Sequence, residues 1–172
     1  NWKMNPGTLA EASKLFSATK KATLKANKVQ TIVCAPYLFL PKLSGEQSGQ
    51  RLAVGAQDSF YERSGAYTGE VSARMLSSLV SYVLVGHSER RHYFHETSTE
   101  IALKITQVLE NNLTPIVAVT PDNWHQQLNT VPLEEQNRCV IMYEPPEAIS
   151  KQVGPVGEGE AAPIAEVIAA IQ

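Results

Sequence analysis

Five short apolar runs, set apart by polar turns and helical patterns, constrain this chain more than any other feature. They are Thr31–Pro36 (TIVCAP), Leu52–Gln57 (LAVGAQ), Tyr82–His87 (YVLVGH), Thr114–Val119 (TPIVAV) and Cys139–Glu144 (CVIMYE). Each is rich in β-branched residues and nearly continuous in apolar ones. A strand with one wet face alternates polar and apolar residues; these runs have no polar face, so both sides must be covered. The cover comes from helices predicted at Thr8–Ala26, Ser72–Leu79, Ser98–Asn112 and Pro163–Ile171. Thr8 and Glu11 stand at capping-box spacing, and Pro163 sits at an N1 position. The Gly-containing stretch Lys42–Arg51 predicts a weaker helix, and Pro121–Arg138 at most one short helix. Repeated βα units of this kind build a parallel α/β sheet, either an open doubly wound sheet or a (β/α)8 barrel. No linker or low-complexity segment divides the chain, so residues 1–172 read as a single domain.

Charge and cysteine usage narrow the function classes. A net charge of −2 gives no electrostatic pull toward nucleic acid or an anionic membrane. No apolar run approaches the ~18 residues of a membrane span, and no signal-peptide pattern is present. Cys34 and Cys139 both lie in apolar runs and read as buried free thiols of a reducing, cytoplasmic compartment. His92, His95 and Glu96 are the nearest approach to metal-ligand spacing, too weak to predict a site, so neither metal nor cofactor is expected. The chain starts at Asn1 without Met and stops at Gln172 inside a helical pattern, so it is expected to be a fragment.

In both architectures chemistry gathers beyond the C-terminal ends of the strands. The segments there are Asn1-Trp2-Lys3-Met4-Asn5, Asp58 with Gly65–Glu70, His87-Ser88-Glu89-Arg90-Arg91, and Glu144-Pro145-Pro146-Glu147. Lys3, His87, Glu89 and Glu144 are thus the titratable groups brought to one face. A lysine, a histidine and a carboxylate can act as electrophile, proton shuttle and base, a set that fits enolisation next to a carbonyl. There is no G-x-S-x-G elbow for nucleophilic hydrolysis, and no G-x-G-x-x-G or P-loop for a nucleotide.

The segments NWKMN, GAYTGEVSARML, VGHSERRHYF and YEPPEAI, in this order and spacing, resemble the signature segments of the triosephosphate isomerase family. The resemblance runs across the chain and is patchy only at Pro121–Arg138. It implies a (β/α)8 TIM barrel and an enzyme that interconverts dihydroxyacetone phosphate and glyceraldehyde 3-phosphate without cofactor or metal. It also implies the roles. Glu144 matches the general base. His87 matches the electrophile, an imidazole kept neutral by a helix N-terminus as in the family itself, with Thr120-Pro121-Asp122 the expected helix start here. Lys3 matches the fixed positive charge that stabilises the enediolate, and Asn1 a substrate-binding side chain. Glu89 is expected to orient Lys3, with a structural pair to Arg90 or Arg91 as the rival. Thr68, in Tyr67-Thr68-Gly69, matches the loop that enters a partner's site in a homodimer.

Three departures from the family stand out. The lid after the base usually reads Pro-Val-Trp-Ala-Ile-Gly-Thr-Gly-Lys; here Pro145-Pro146-Glu147 resembles the archaeal branch, and the backbone N–H of Ser150 is expected to meet the phosphate. Pro121–Arg138 is short, with AVTPDNW replacing a Gly-Glu motif. The barrel reads as incomplete, its first strand and last two βα units missing, and with them most of the phosphate-binding amides. The rival expectation is therefore a truncated barrel remnant with a binding or structural role; a third is another phosphate-binding barrel isomerase.

Overall fold

The computed structural model describes residues 1–25, 29–47 and 51–144. Five strands form one sheet: β1 (Thr31–Ala35), β2 (Leu52–Ala56), β3 (Tyr82–Val85), β4 (Thr114–Val119) and β5 (Val140–Tyr143). All pair in parallel, and their order in space is their order in the chain. That order separates the two architectures left open above. A doubly wound sheet reverses direction at a switch point, whereas a barrel always winds the same way. No reversal occurs among these five strands, so the chain is part of a (β/α)8 barrel.

Around the sheet lie α1 (Leu9–Thr23), α2 (Leu40–Ser44), α3 (Ala73–Leu76), α4 (Ser88–Tyr93), α5 (Ser98–Glu110), α6 (Trp124–Leu128) and α7 (Leu133–Gln136). Strand residues alternate between two apolar layers. Val83, Val85, Val117 and Val119 face outward into a core shared with Ala12 and Phe16 of α1 and Ile101, Ile105 and Val108 of α5. Cys34, Leu84, Ile116 and Ala118 form a second layer with Ile32, Tyr82 and Met142. Burial on both faces explains why the runs carry no alternating pattern. Among the described residues no helix is long and apolar enough to cross a membrane.

Several elements differ from their expected extents. β3 stops two residues short of His87 because Gly86 takes φ +72, which ends an extended strand. The predicted Ser72–Leu79 helix shrinks to the single turn of α3, whose N-cap Ser72 Oγ accepts from the Met75 N–H. α2 begins before Lys42, on a 3-10 turn at Tyr37–Phe39 with Pro41 in its first turn. Pro121–Arg138 holds two short helices, α6 and α7, not one. Cys34 is buried as expected, but Cys139 is only partly buried; both are free thiols. The predicted helix Pro163–Ile171, the lid and Ser150 lie outside the described residues.

Candidate active site

The site begins where β3 ends. Gly86 turns the chain with a positive φ, and a Cβ there would meet Ile101 Cγ2 at 3.1 Å and Cδ1 at 3.2 Å. The turn delivers His87 as the N-cap of α4, 6% exposed. Its Nδ1 accepts the backbone N–H of Glu89 at 3.2 Å. A ring nitrogen that accepts an amide N–H leaves Nε2 as the nitrogen placed to carry a proton. Nε2 in turn lies 3.0 Å from Glu144 Oε1. The amide that serves His87 therefore belongs to its own helix, not to Thr120-Pro121-Asp122; the Thr120 N–H goes instead to Asn123 Oδ1 at 2.8 Å.

Glu144 continues β5 by one residue, its N–H donating to the Val119 carbonyl at 2.8 Å. Its carboxylate accepts the Ser88 N–H at 2.9 Å and the Ser88 hydroxyl at 3.2 Å, besides facing His87 Nε2. The carboxylate is thus held against the first turn of α4, with its side chain 12% exposed.

Lys3 reaches the same place from the start of the chain. The Trp2 N–H donates to the Cys34 carbonyl at 2.9 Å and moors the segment beside β1. Lys3 itself has φ +54, a left-handed conformation that costs a β-carbon-bearing residue roughly 1–2 kcal/mol. Its Nζ lies 2.7 Å from Glu89 Oε1, while Glu89 Oε2 lies 3.6 Å from His87 Nδ1. Asn1 Oδ1 accepts from the Lys3 N–H at 2.9 Å and from Gln57 Nε2 at 3.0 Å. Arg90 does not pair with Glu89; its Nε lies 2.5 Å from Glu96 and 3.0 Å from Asp58. The Lys3–Glu89 and His87–Glu144 pairs are therefore neighbours, joined by the Glu89 N–H that donates to His87 Nδ1. Thr68 stands apart from them, in the exposed loop after Phe60.

Two contributors had no sequence signal of their own. Ser88, inside the HSERR motif, donates twice to the Glu144 carboxylate. Gln57 Nε2 reaches three acceptors at the end of β2, the Asn1 side chain, the Lys3 carbonyl and the Cys34 carbonyl, the last two at 2.9 and 3.1 Å. Polarity at the end of an apolar run was the available clue for Gln57, and it pointed equally to solvent. Behind the site, Lys104 of α5 is 3% exposed and lies 2.7 Å from Asp58 and 2.5 Å from Glu96. Burial pushes the Asp58 carboxyl up to about 6, although Lys104 and Arg90 pull it down. Among the described residues no cluster of three or more His, Cys, Asp or Glu side chains is placed to hold a metal ion.

The arrangement brings a carboxylate, an imidazole and a lysine together at the strand ends. Comparison with known proteins bears on the family. The family model for triosephosphate isomerase matches residues 1–172. A triosephosphate isomerase of Clostridium botulinum (strain Loch Maree / Type A3) is 39% identical over 161 residues, covering 84% of this chain and 64% of that protein. One from Dehalococcoides mccartyi (strain ATCC BAA-2100 / JCM 16839 / KCTC 5957 / BAV1) is 37% identical across 99% of this chain and 69% of its own length. The crystal structure of triosephosphate isomerase from Bartonella henselae superposes with a TM-score of 0.71 at 26% identity, over 84% of this chain and 65% of that one. The chain thus spans about two thirds of the length of these relatives. The family model, the identity to these relatives and the shared strand order agree, and the chain belongs to the triosephosphate isomerase family.

Proposed function

We propose that the protein carrying this chain interconverts dihydroxyacetone phosphate and D-glyceraldehyde 3-phosphate by proton transfer through an enediolate, a step of glycolysis and gluconeogenesis. The observation that carries the reading is the pairing of His87 Nε2 with the Glu144 carboxylate at 3.0 Å, while Nδ1 is occupied by a backbone N–H. The amide at Nδ1 fixes the ring's orientation and leaves Nε2 facing the carboxylate. Glu144 leaves Ser88 to take a proton from the carbon beside the substrate carbonyl, exchanges it with solvent, and delivers a proton to the neighbouring carbon. His87 donates from Nε2 to the carbonyl oxygen as negative charge develops there. The Lys3 ammonium, oriented by Glu89, adds a positive charge whose effect is largest on the enediolate. Asn1 helps bind substrate beside Lys3, and the Ser150 amide meets the phosphate.

The same reading extends to assembly. Thr68 reaches the site of a second copy, making the protein a homodimer. The ring of Phe60 stacks on Tyr61 and meets Tyr67 at a tilt, with centroids 4.3 and 4.7 Å apart; these contacts stiffen that exposed loop and support the assignment. The chain forms a single domain, and two free thiols fit a reducing cytoplasm. Isomerisation by the full protein in deuterated water tests the chemistry. Proton transfer to a carboxylate predicts solvent deuterium in the carbon-bound position of the product, read by proton NMR. Product formed without deuterium, or no product at all, would contradict it.

A further inference from the structure

β3 presents His87, yet the sheet holds little of the strand's end. Pairing with β2 covers only Tyr82 and Val83, and pairing with β4 stops at Val85. Gly86, the residue directly before His87, lies beyond both ladders and has the left-handed φ that allows a glycine the widest choice of conformations. Something other than the sheet must fix it.

Arg91 occupies that place. Its Nε donates to the Gly86 carbonyl at 3.0 Å. Its Nη2 donates to Gln127 Oε1 of α6 at 2.5 Å, and its Nη1 lies 3.4 Å from Ser98 Oγ at the start of α5. Nη2 also lies 3.4 Å from where a Gly86 Cβ would be, so guanidinium and Ile101 together enclose the glycine. Gln127 is fully buried, a carboxamide 36 positions away in the segment that departs most from the family pattern. These partners are neutral and directional, so the guanidinium acts through the geometry of its fork more than through charge.

We infer that Arg91 is a positioning residue for His87: anchored on Gln127, its guanidinium clamps the Gly86 carbonyl and so sets where the imidazole stands. This inference rests on the isomerase reading above. Arg91 touches neither the base nor the substrate side of His87 and takes no part in proton transfer. Its charge is felt at Glu96 and Glu144 without contact, but its hydrogen bonds act on backbone placement, to which a step needing an aligned donor is sensitive.

The test is Arg91→Met in the full protein, which keeps a similar apolar stem and removes the donors. Loss of alignment predicts a fall in kcat of about tenfold or more with KM within about twofold. It also predicts displaced His87 imidazole nitrogen signals in the 15N NMR spectrum. A folded Arg91→Met protein with wild-type kcat, or with unmoved His87 signals, overturns the inference. Should that variant not fold, Gln127→Leu carries the test, since it leaves the Arg91–Gly86 contact unanchored; lower kcat at constant KM supports the clamp, and unchanged kcat refutes it. A wild-type protein without isomerase activity sinks the functional reading instead, and the NMR signals then judge the clamp independently.

Discussion

His87 and Asp58 show how differently two buried polar residues are handled. His87 accepts an amide at Nδ1 and has a carboxylate 3.0 Å from Nε2, so both ring nitrogens face a polar partner. Asp58 is 7% exposed and shares Lys104 and Arg90 with a second carboxylate, Glu96. Desolvation outweighs its cationic partners, so its carboxyl rises from 3.8 to about 6. The native state then binds this proton more tightly than the unfolded chain does. Such a group favours the folded state most at low pH, and the benefit is lost as pH rises through the folded value. Melting temperatures of wild type and Asp58→Asn across pH about 4 to about 7 will show this: the wild-type curve falls relative to the variant as pH rises. Parallel curves would mean that Lys104 and Arg90 compensate burial fully.

At the scale of elements, α5 links the site to the core. Ile101 packs under Gly86 while Lys104 holds Asp58 and Glu96. The helix starts with a complete capping box: Thr97 Oγ1 accepts the Glu100 N–H at 3.2 Å, and Glu100 accepts the Thr97 N–H at 2.8 Å. Thr97→Ala leaves a first-turn donor without its cap and is expected to lower unfolding free energy by about 1 kcal/mol, measured by urea denaturation. Capping boxes are local, and the Thr8–Glu11 signal was legible for that reason. The five strands were legible because burial on both faces leaves nothing polar in them. α4 was not: SERRHY has no apolar stripe, none of its residues is buried, and His87 as N-cap lies outside the usual capping set. α6 and α7 were invisible as separate helices because each is about one turn long. Arg91–Gln127 and Ser88–Glu144, 36 and 56 positions apart, leave no periodicity at all.

Across the whole molecule, parallel strands in sequential order bring residues 3, 87, 89 and 144 to one end of the sheet. The strand-end rule made that convergence readable before any coordinates, since it depends only on where each apolar run stops. What it did not supply was posture. The Glu144 carboxylate rests on the Ser88 amide and hydroxyl, 56 positions away in the chain. The central claim is that this carboxylate moves the substrate proton. Its most direct test is the steady-state rate of triose phosphate isomerisation by the full protein and by Glu144→Gln, which preserves shape and removes basicity. A general-base role predicts a kcat lower by about 10²–10⁴ in the variant, with the fold unchanged by circular dichroism. A variant that turns over at the wild-type rate would contradict it.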